Sequence, residues 1–297
     1  MVQLREVRKR IKAVANIERI TKTMQMIATA KFQALVRRAQ DTKPYNEKLA
    51  QMVAELSTAA GDEPIEHPLI APPPKPAGQE LLLVISSNRG LCGAYNTNVL
   101  RTSATFMKGN RDTRTLLQVV GKKGNAFFRF AGDPIEKAHT QLSDEPVYEE
   151  IEKLASEYIE RFSAGEVDAV RVAYMQFISN ARQNPRVIKL LPLEKPEAEA
   201  HGQTAGATND RHAVYEFSPE PAKLLGHLLP LAVKSQLFQC FTDASVSEQI
   251  GRMVAMKAAT DNAGKMKNSL SRTFNRARQA QITTELSEII GGAAALE

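Results

Sequence analysis

Tryptophan is absent from this 297-residue chain, and cysteine occurs only at Cys92 and Cys240. Two distant cysteines in apolar settings exclude a disulfide framework and a redox pair, and read as reduced, buried thiols. The five histidines, His67, His139, His201, His212 and His227, share no ligand spacing on a helix face, so no metal is expected. No window of about 18 uncharged apolar residues exists, which excludes a helix that spans a bilayer. The start, Met1-Val2-Gln3-Leu4-Arg5, lacks the apolar core of a secretory signal. Its periodic pattern also continues far beyond a usual transit peptide, so the expectation is a chain without a leader.

Motifs of catalysis are missing too. Gly90 and Gly93 follow an apolar run, but the turn offers Cys92, Ala94 and Tyr95 where a phosphate loop needs Lys-Ser or Lys-Thr. Gly121-Lys122-Lys123-Gly124 sets lysines beside glycines without that spacing, and no Gly-x-Gly-x-x-Gly occurs. A glycine-shaped turn between strand and helix is the simpler reading, and it is preferred. Ser86, Ser87 and Cys92 have no Gly-x-Ser-x-Gly elbow and no histidine placed to serve them, so an independent enzyme is not expected.

What the chain does have is charge at both ends. Its net +6 hides an asymmetry: residues 1–40 carry ten Lys/Arg against Glu6 and Glu18, and residues 251–281 carry seven against Asp261 alone. The middle is correspondingly acidic. Both ends should therefore seek an acidic partner: nucleic acid, anionic lipid or a protein ring lined with carboxylates. Nucleic acid is the weaker reading, because the basic residues share their helices with an apolar stripe and stacking aromatics are few.

Helical periodicity dominates those ends. Val7, Ile11, Val14, Ile17, Ile20, Met24 and Ile27 recur at steps of three and four, and the pattern predicts a helix from Val2 to about Ala60. Pro44 is expected to kink or restart it. A helix of roughly 80 Å needs a companion. That companion is predicted after Ser218-Pro219-Glu220-Pro221, a capping and opening turn, with Pro230 bending the early turns. Val246, Ile250 and Met253, then Ala263, Met266, Leu270, Phe274 and Ala277, average near 3.5 residues per turn, which predicts a left-handed antiparallel coiled coil. No proline follows Pro230, and the chain ends on small residues. The methionines Met24, Met26, Met253, Met256 and Met266 fill that seam or suit a surface with changing contacts.

Between the ends the pattern changes. Residues 61–79, with six prolines, read as a stiff linker. Leu81–Ile85 and Leu116–Val120 are continuously apolar and read as buried parallel strands, the first followed by a helix through Asn98. Ile151–Phe162 reads as an amphipathic helix, Ala169–Ile178 as a third strand and Arg186–Leu191 as a fourth. Strands alternating with helices predict a small open α/β, Rossmann-like domain over residues 80–217. Residues 195–214 are small and polar and read as a mobile loop. The predicted organisation is 1–60 helix, 61–79 linker, 80–217 domain and 218–297 helix.

Four segments carry a family resemblance: Ile20-Thr21-Lys22-Thr23-Met24-Gln25-Met26-Ile27-Ala28, Ser87-Asn88-Arg89-Gly90-Leu91-Cys92-Gly93, Arg252-Met253-Val254-Ala255-Met256-Lys257-Ala258-Ala259-Thr260-Asp261-Asn262-Ala263 and Ile282-Thr283-Thr284-Glu285-Leu286-Ser287-Glu288. Over essentially its full length the chain resembles the gamma subunits of F-type, proton-translocating ATP synthases. The resemblance implies a central rotor shaft whose terminal helices coil inside a hexamer of alternating alpha and beta subunits. It places Lys22 and Met24 at an acidic catch on each beta subunit, with Arg252 packed near. Arg278, Gln279, Thr283 and Glu285 are implied contacts of the upper collar of the hexamer. The α/β domain would touch the epsilon subunit and the c ring, and Tyr215 and Glu216 are similar in position to that foot. No catalytic residue, cofactor or nucleic-acid partner of its own is implied. The 195–214 segment holds no cysteine, so the thiol switch of plastid relatives is not expected. The cytoplasmic face of a bacterial plasma membrane is the expected site, in preference to a mitochondrion.

Overall fold

Helices α1 (Leu4–Ala59) and α5 (Pro221–Ala294) occupy the two ends of the chain in a computed structural model that describes residues 4–59, 67–70, 76–110, 113–142, 145–193 and 221–294. The chain divides into two compact units, one of Met1–Lys31 with Ile250–Glu297 and one of Phe32–Gln249.

The first unit is an antiparallel helix pair. Thr260 Oγ1 donates to Thr21 Oγ1 at 2.8 Å. Lys267 Nζ, further along α5, reaches Glu18 Oε2, earlier on α1, at 2.9 Å. Buried positions recur every seven residues, at Val7, Val14 and Ala28 on one helix and Met256 and Ala263 on the other. Thr21 fills the intervening heptad position half-buried. This strict repeat is the seam of a left-handed supercoil. Ile17, Ile20 and Ile27 share the apolar periodicity, yet each is more than half exposed. One partner helix covers only a narrow stripe, and the small Ala28 and Ala263 lie in it, so the bulkier isoleucines are left outside.

The second unit is built on a five-stranded sheet in the order β3-β2-β1-β4-β5. Strands β1 (Gln79–Ile85), β2 (Arg114–Val120), β3 (Ile135–His139) and β4 (Ala169–Ser179) are parallel, and β5 (Arg182–Leu191) returns antiparallel to β4. Central β1 is buried on both faces, which is why it reads as an unbroken apolar run. On one face Leu81, Leu83 and Ile85 pack with α4 (Tyr148–Ser163), Val53 and Leu56 of α1 and the Leu225–Ala244 stretch of α5. Leu69 joins that core, and its carbonyl accepts from the Leu193 N–H at 2.8 Å. On the other face Leu82 and Val84 pack with α2 (Tyr95–Gly109) and with Phe128 of α3 (Lys122–Ala131). The result is three layers, α/β/α.

Several elements depart from the sequence reading. Helix α1 is continuous through Pro44, where a restart is one expectation, while α5 is continuous through Pro230, where only a bend is expected. Each proline removes one backbone hydrogen bond, and the bonds of the flanking turns outweigh that loss. Helix α2 runs to Gly109, well past Asn98. Helix α3 and strand β3 lack sequence signals strong enough to read: one is short and contains Gly124, the other is a five-residue edge strand carrying Glu136 and Lys137. Strand β5 begins at Arg182, four residues before the expected start, and holds Pro185 where an edge strand tolerates it. The 195–214 segment and Ser218–Glu220 lie outside the described residues.

Candidate functional site

Open α/β sheets bind ligands outside the carboxyl ends of their strands, where the strand order reverses. Here that point lies between β1 and β4. The neighbouring carboxyl end of β2, where α3 begins beside the turn after β1, is closed by the protein itself. The first three backbone amides of α3, which would cradle a phosphate, are already bonded: Lys122 N–H to Asn88 Oδ1 at 3.2 Å, Lys123 N–H to the Ser87 carbonyl at 3.1 Å, and Gly124 N–H to Ser86 Oγ at 2.9 Å. The glycines belong to this closure. A Cβ on Gly121, whose φ is +90°, would lie 2.3 Å from the Ser86 carbonyl oxygen, and one on Gly124 would lie 2.6 Å from Ser86 Oγ. The cavity beneath, bounded by Ile85, Ser86, Tyr95, Phe241 and Glu248, is about 20 Å³, room for roughly one water.

The hydroxyls and thiol in this turn are engaged in the same way. Ser86 Oγ donates to the Val120 carbonyl at 2.6 Å and Ser87 Oγ to the Arg89 carbonyl at 2.6 Å. Asn96 Nδ2 donates to Ser87 Oγ at 2.8 Å and lies 3.2 Å from Cys92 Sγ. His139 serves a different group: its Nε2 lies 2.9 Å from Gln118 Oε1, which also accepts from the Tyr158 hydroxyl at 2.8 Å. Burial, with Lys137 nearby, holds His139 below the usual imidazole range. The Ser86 and Ser87 hydroxyls and the first three amides of α3 are thus spent on holding β1, β2 and α3 together.

The helix pair is the opposite case. Of the residues singled out in the sequence, Lys22, Arg278, Gln279, Thr283 and Glu285 are exposed, Met24 is half-buried, and Arg252 is buried at 8% exposure. Lys22 and Met24 lie one and three residues beyond Thr21, just past the level of the Thr21–Thr260 bond. Thr283 Oγ1 donates back to the Gln279 carbonyl at 2.9 Å, and Gln281 Nε2 to Glu285 Oε1 at 2.8 Å. These four C-terminal residues share one stretch of α5 in which every residue from Arg278 to Gly291 is exposed. Tyr215 and Glu216 lie outside the described residues.

Sequence reading missed how much apolar surface this unit turns outward. Ile282, Leu286, Ile289 and Ile290 are exposed at steps of four, three and one along α5, and Ile17, Ile20, Met26, Ile27, Val254 and Met266 are exposed elsewhere on the pair. Exposed Lys9, Arg10, Lys12, Arg19, Lys22, Lys257, Lys265, Arg272 and Arg276 surround them. The available signal was a count: too many large apolar residues for one seam.

These features define a class: a coiled-coil protein with an α/β/α domain between its two helices and its open surface on the helices. The family model for ATP synthase matches residues 3–296. The chain is 40% identical to the ATP synthase gamma chain of Rhodopirellula baltica and 41% identical to that of Anaeromyxobacter dehalogenans, in each case over the whole of both chains. The chain belongs to the ATP synthase gamma chain family. Its fold matches chains in structures of the Euglena gracilis mitochondrial ATP synthase (TM-score 0.65, 20% identity, 99% of this chain and 94% of that one) and of the Tetrahymena thermophila enzyme (TM-score 0.57, 21% identity, 81% and 99%).

Proposed function

We propose that this chain is the central rotor shaft of an F-type ATP synthase, a non-catalytic subunit that couples proton-driven rotation of a c ring to conformational change at catalytic sites on beta subunits. The observation that carries the reading is the outer surface of the helix pair, where large apolar side chains stand exposed among cations although the pair already has its own seam. Such a surface suits a partner that surrounds the helices. Its charge suits a ring lined with carboxylates.

In this reading alpha and beta subunits alternate around the pair. Lys22 and Met24 meet an acidic segment of each beta subunit in turn, and Arg252 braces the helices near that level. Arg278, Gln279, Thr283 and Glu285 engage the collar of the hexamer, joined by Ile282 and Leu286. A pair of unlike helices presents a different face to each beta subunit, so each catalytic site is biased toward a different nucleotide affinity. Exposed methionines and dispersed cations keep each contact weak enough to break as the shaft turns. Residues 1–60 and 218–297 serve as the shaft, 61–79 as linker, and 80–217 as the domain that meets the epsilon subunit and c ring, with Tyr215 and Glu216 at the foot. The two full-length gamma-chain relatives named above are bacterial, and their 40% and 41% identity, against 20% and 21% for the mitochondrial chains of like fold, supports a peripheral position on the cytoplasmic face of a bacterial plasma membrane.

Reconstitution tests the proposal. The chain is mixed with matching alpha and beta subunits, and ATP hydrolysis is measured beside the chain alone. The expected result is a single assembly with one copy per three alpha–beta pairs, active only when complete. A folded chain that neither assembles nor restores activity overturns the reading.

A further inference from the structure

Strand β4 outruns its neighbour β1. The two pair from Glu80 beside Ala169 to Val84 beside Ala173, whereas β5 follows β4 as far as Ser179. Beyond Ala173 the β1 side of β4 therefore meets no strand among the described residues, and its main-chain groups need other partners. Helix α5 supplies them. The buried Ser247 Oγ donates to the Met175 carbonyl at 3.3 Å, and the Asp243 carboxylate accepts from the Phe177 N–H. Gln239 Nε2 donates to Asp243 Oδ1 at 2.8 Å and holds that carboxylate in place. Gln239, Asp243 and Ser247 stand at steps of four, so they share one face of the helix.

The two spacings match. Asp243 and Ser247 lie about 6 Å apart along the helix axis, and Phe177 and Met175 about 6.7 Å apart along the strand. Residues two apart in a strand direct their main-chain groups to the same edge. The later helix residue meets the earlier strand residue, so α5 runs antiparallel to β4 here. Over Leu225–Ala244 the apolar core holds α5 to the sheet. Apolar contact is non-directional and by itself permits a small roll or slide of the helix. Hydrogen bonds weaken steeply when bent, so two of them one turn apart oppose both motions. We propose that Asp243 and Ser247 are positioning residues that lock α5 against β4, so that rotation of the α/β domain is delivered along an unbroken helix as far as Ala294, a role that rests on the rotor-shaft reading above.

Variants test this in the complete ATP synthase, reconstituted in vesicles. Ser247→Ala removes the donor and Asp243→Leu the acceptor, whereas Asp243→Asn keeps an oxygen for the Phe177 N–H. Two activities are compared. ATP hydrolysis by the membrane-free assembly with alpha and beta subunits draws on the helix pair, and proton pumping per ATP hydrolysed by the vesicles draws on the joint. In Asp243→Leu with Ser247→Ala, pumping per ATP should fall by about fivefold or more, with membrane-free hydrolysis within about twofold of the parent. Asp243→Asn should pump like the parent. Amide hydrogen exchange at Phe177 in the full chain reads the bond directly, and should quicken by about tenfold in Asp243→Leu but not in Asp243→Asn. Normal pumping by the double variant despite fast Phe177 exchange overturns the proposal, as does an equal loss in Asp243→Asn. Should the double variant not fold, Ser247→Ala alone decides, with a loss of about twofold expected and none overturning it. A parent chain that gives no hydrolysis with alpha and beta subunits overturns the rotor-shaft reading instead, while Phe177 exchange still tests the lock.

Discussion

The core and central turn of unit Phe32–Gln249 satisfy themselves, whereas the helix pair of Met1–Lys31 and Ile250–Glu297 does not. In the first, Leu81, Leu82, Leu83 and Val84 are wholly buried, and the polar groups of the Ser86–Asn96 turn bond one another. In the second, the seam is thin, with Ala28, Thr21 and Ala263 at its heptad positions, and larger isoleucines face outward. A domain that closes its own core holds a shape. A helix pair that leaves apolar surface open depends on others to cover it, and there the function is sought.

The sharpest test of this contrast is Gly121→Ala. Its new Cβ would meet the Ser86 backbone at 2.3 Å at a positive φ, so a loss of about 3 kcal/mol or more is expected, seen as a lower urea midpoint. Leu83→Ala should cost about 2–5 kcal/mol in the same assay. Ile17→Ala should cost no more than about 0.5 kcal/mol in the isolated chain. It should nevertheless weaken assembly with alpha and beta subunits. Equal stability losses for Leu83→Ala and Ile17→Ala would dissolve the contrast.

Asp243 tests the closed unit through pH. Its carboxylate accepts from Gln239 Nε2 at 2.8 Å and from the Phe177 backbone N–H, but burial dominates and pushes its pKa up to about 6 from an ordinary 3.8. A raised carboxylate pKa means that the fold prefers the protonated form. The penalty is therefore absent below about pH 4, grows as pH rises through 6, and is complete above that, at no more than about 3 kcal/mol. Asp243→Asn should be more stable than the parent at pH 8 and equal to it near pH 4, by urea unfolding at each pH. A pH-independent difference would remove burial as the cause.

Smaller effects belong to the open unit. Met24→Lys adds a charge at the proposed catch and should lower ATP synthesis relative to hydrolysis by about fivefold, equivalent to about 1 kcal/mol at one contact. Equal losses in both directions would overturn the idea that weak contacts keep rotation smooth. Lys267→Ala removes a partly exposed ion pair with Glu18 and should cost no more than about 0.5 kcal/mol, vanishing at high salt.

Much of this was legible in the chain. Both terminal helices could be read because periodicity over twenty or more residues averages out single exceptions such as Pro44. Strands β1 and β2 could be read because burial on both faces leaves unbroken runs such as Leu81–Ile85. Helix α3 and strand β3 could not, since ten and five residues are too few for a period to stand above Gly124, Glu136 and Lys137. The named coil residues Lys22, Met24 and Arg278 came from family resemblance and not from spacing, because nothing in a helical pattern marks which exposed cation meets a partner.

By itself the sequence determined the two long helices, the α/β domain between them, the basic ends and the family. Those depend on local periodicity and composition, which survive without knowledge of neighbours. Tertiary structure alone decided that the seam runs through Val7, Val14, Thr21 and Ala28 while Ile17 and Ile20 face outward. It also decided that Ser86, Ser87 and Asn88 consume the amides of a would-be phosphate loop. Both outcomes depend on which residue from a distant segment arrives within about 3 to 4 Å, and one-dimensional spacing does not carry that information.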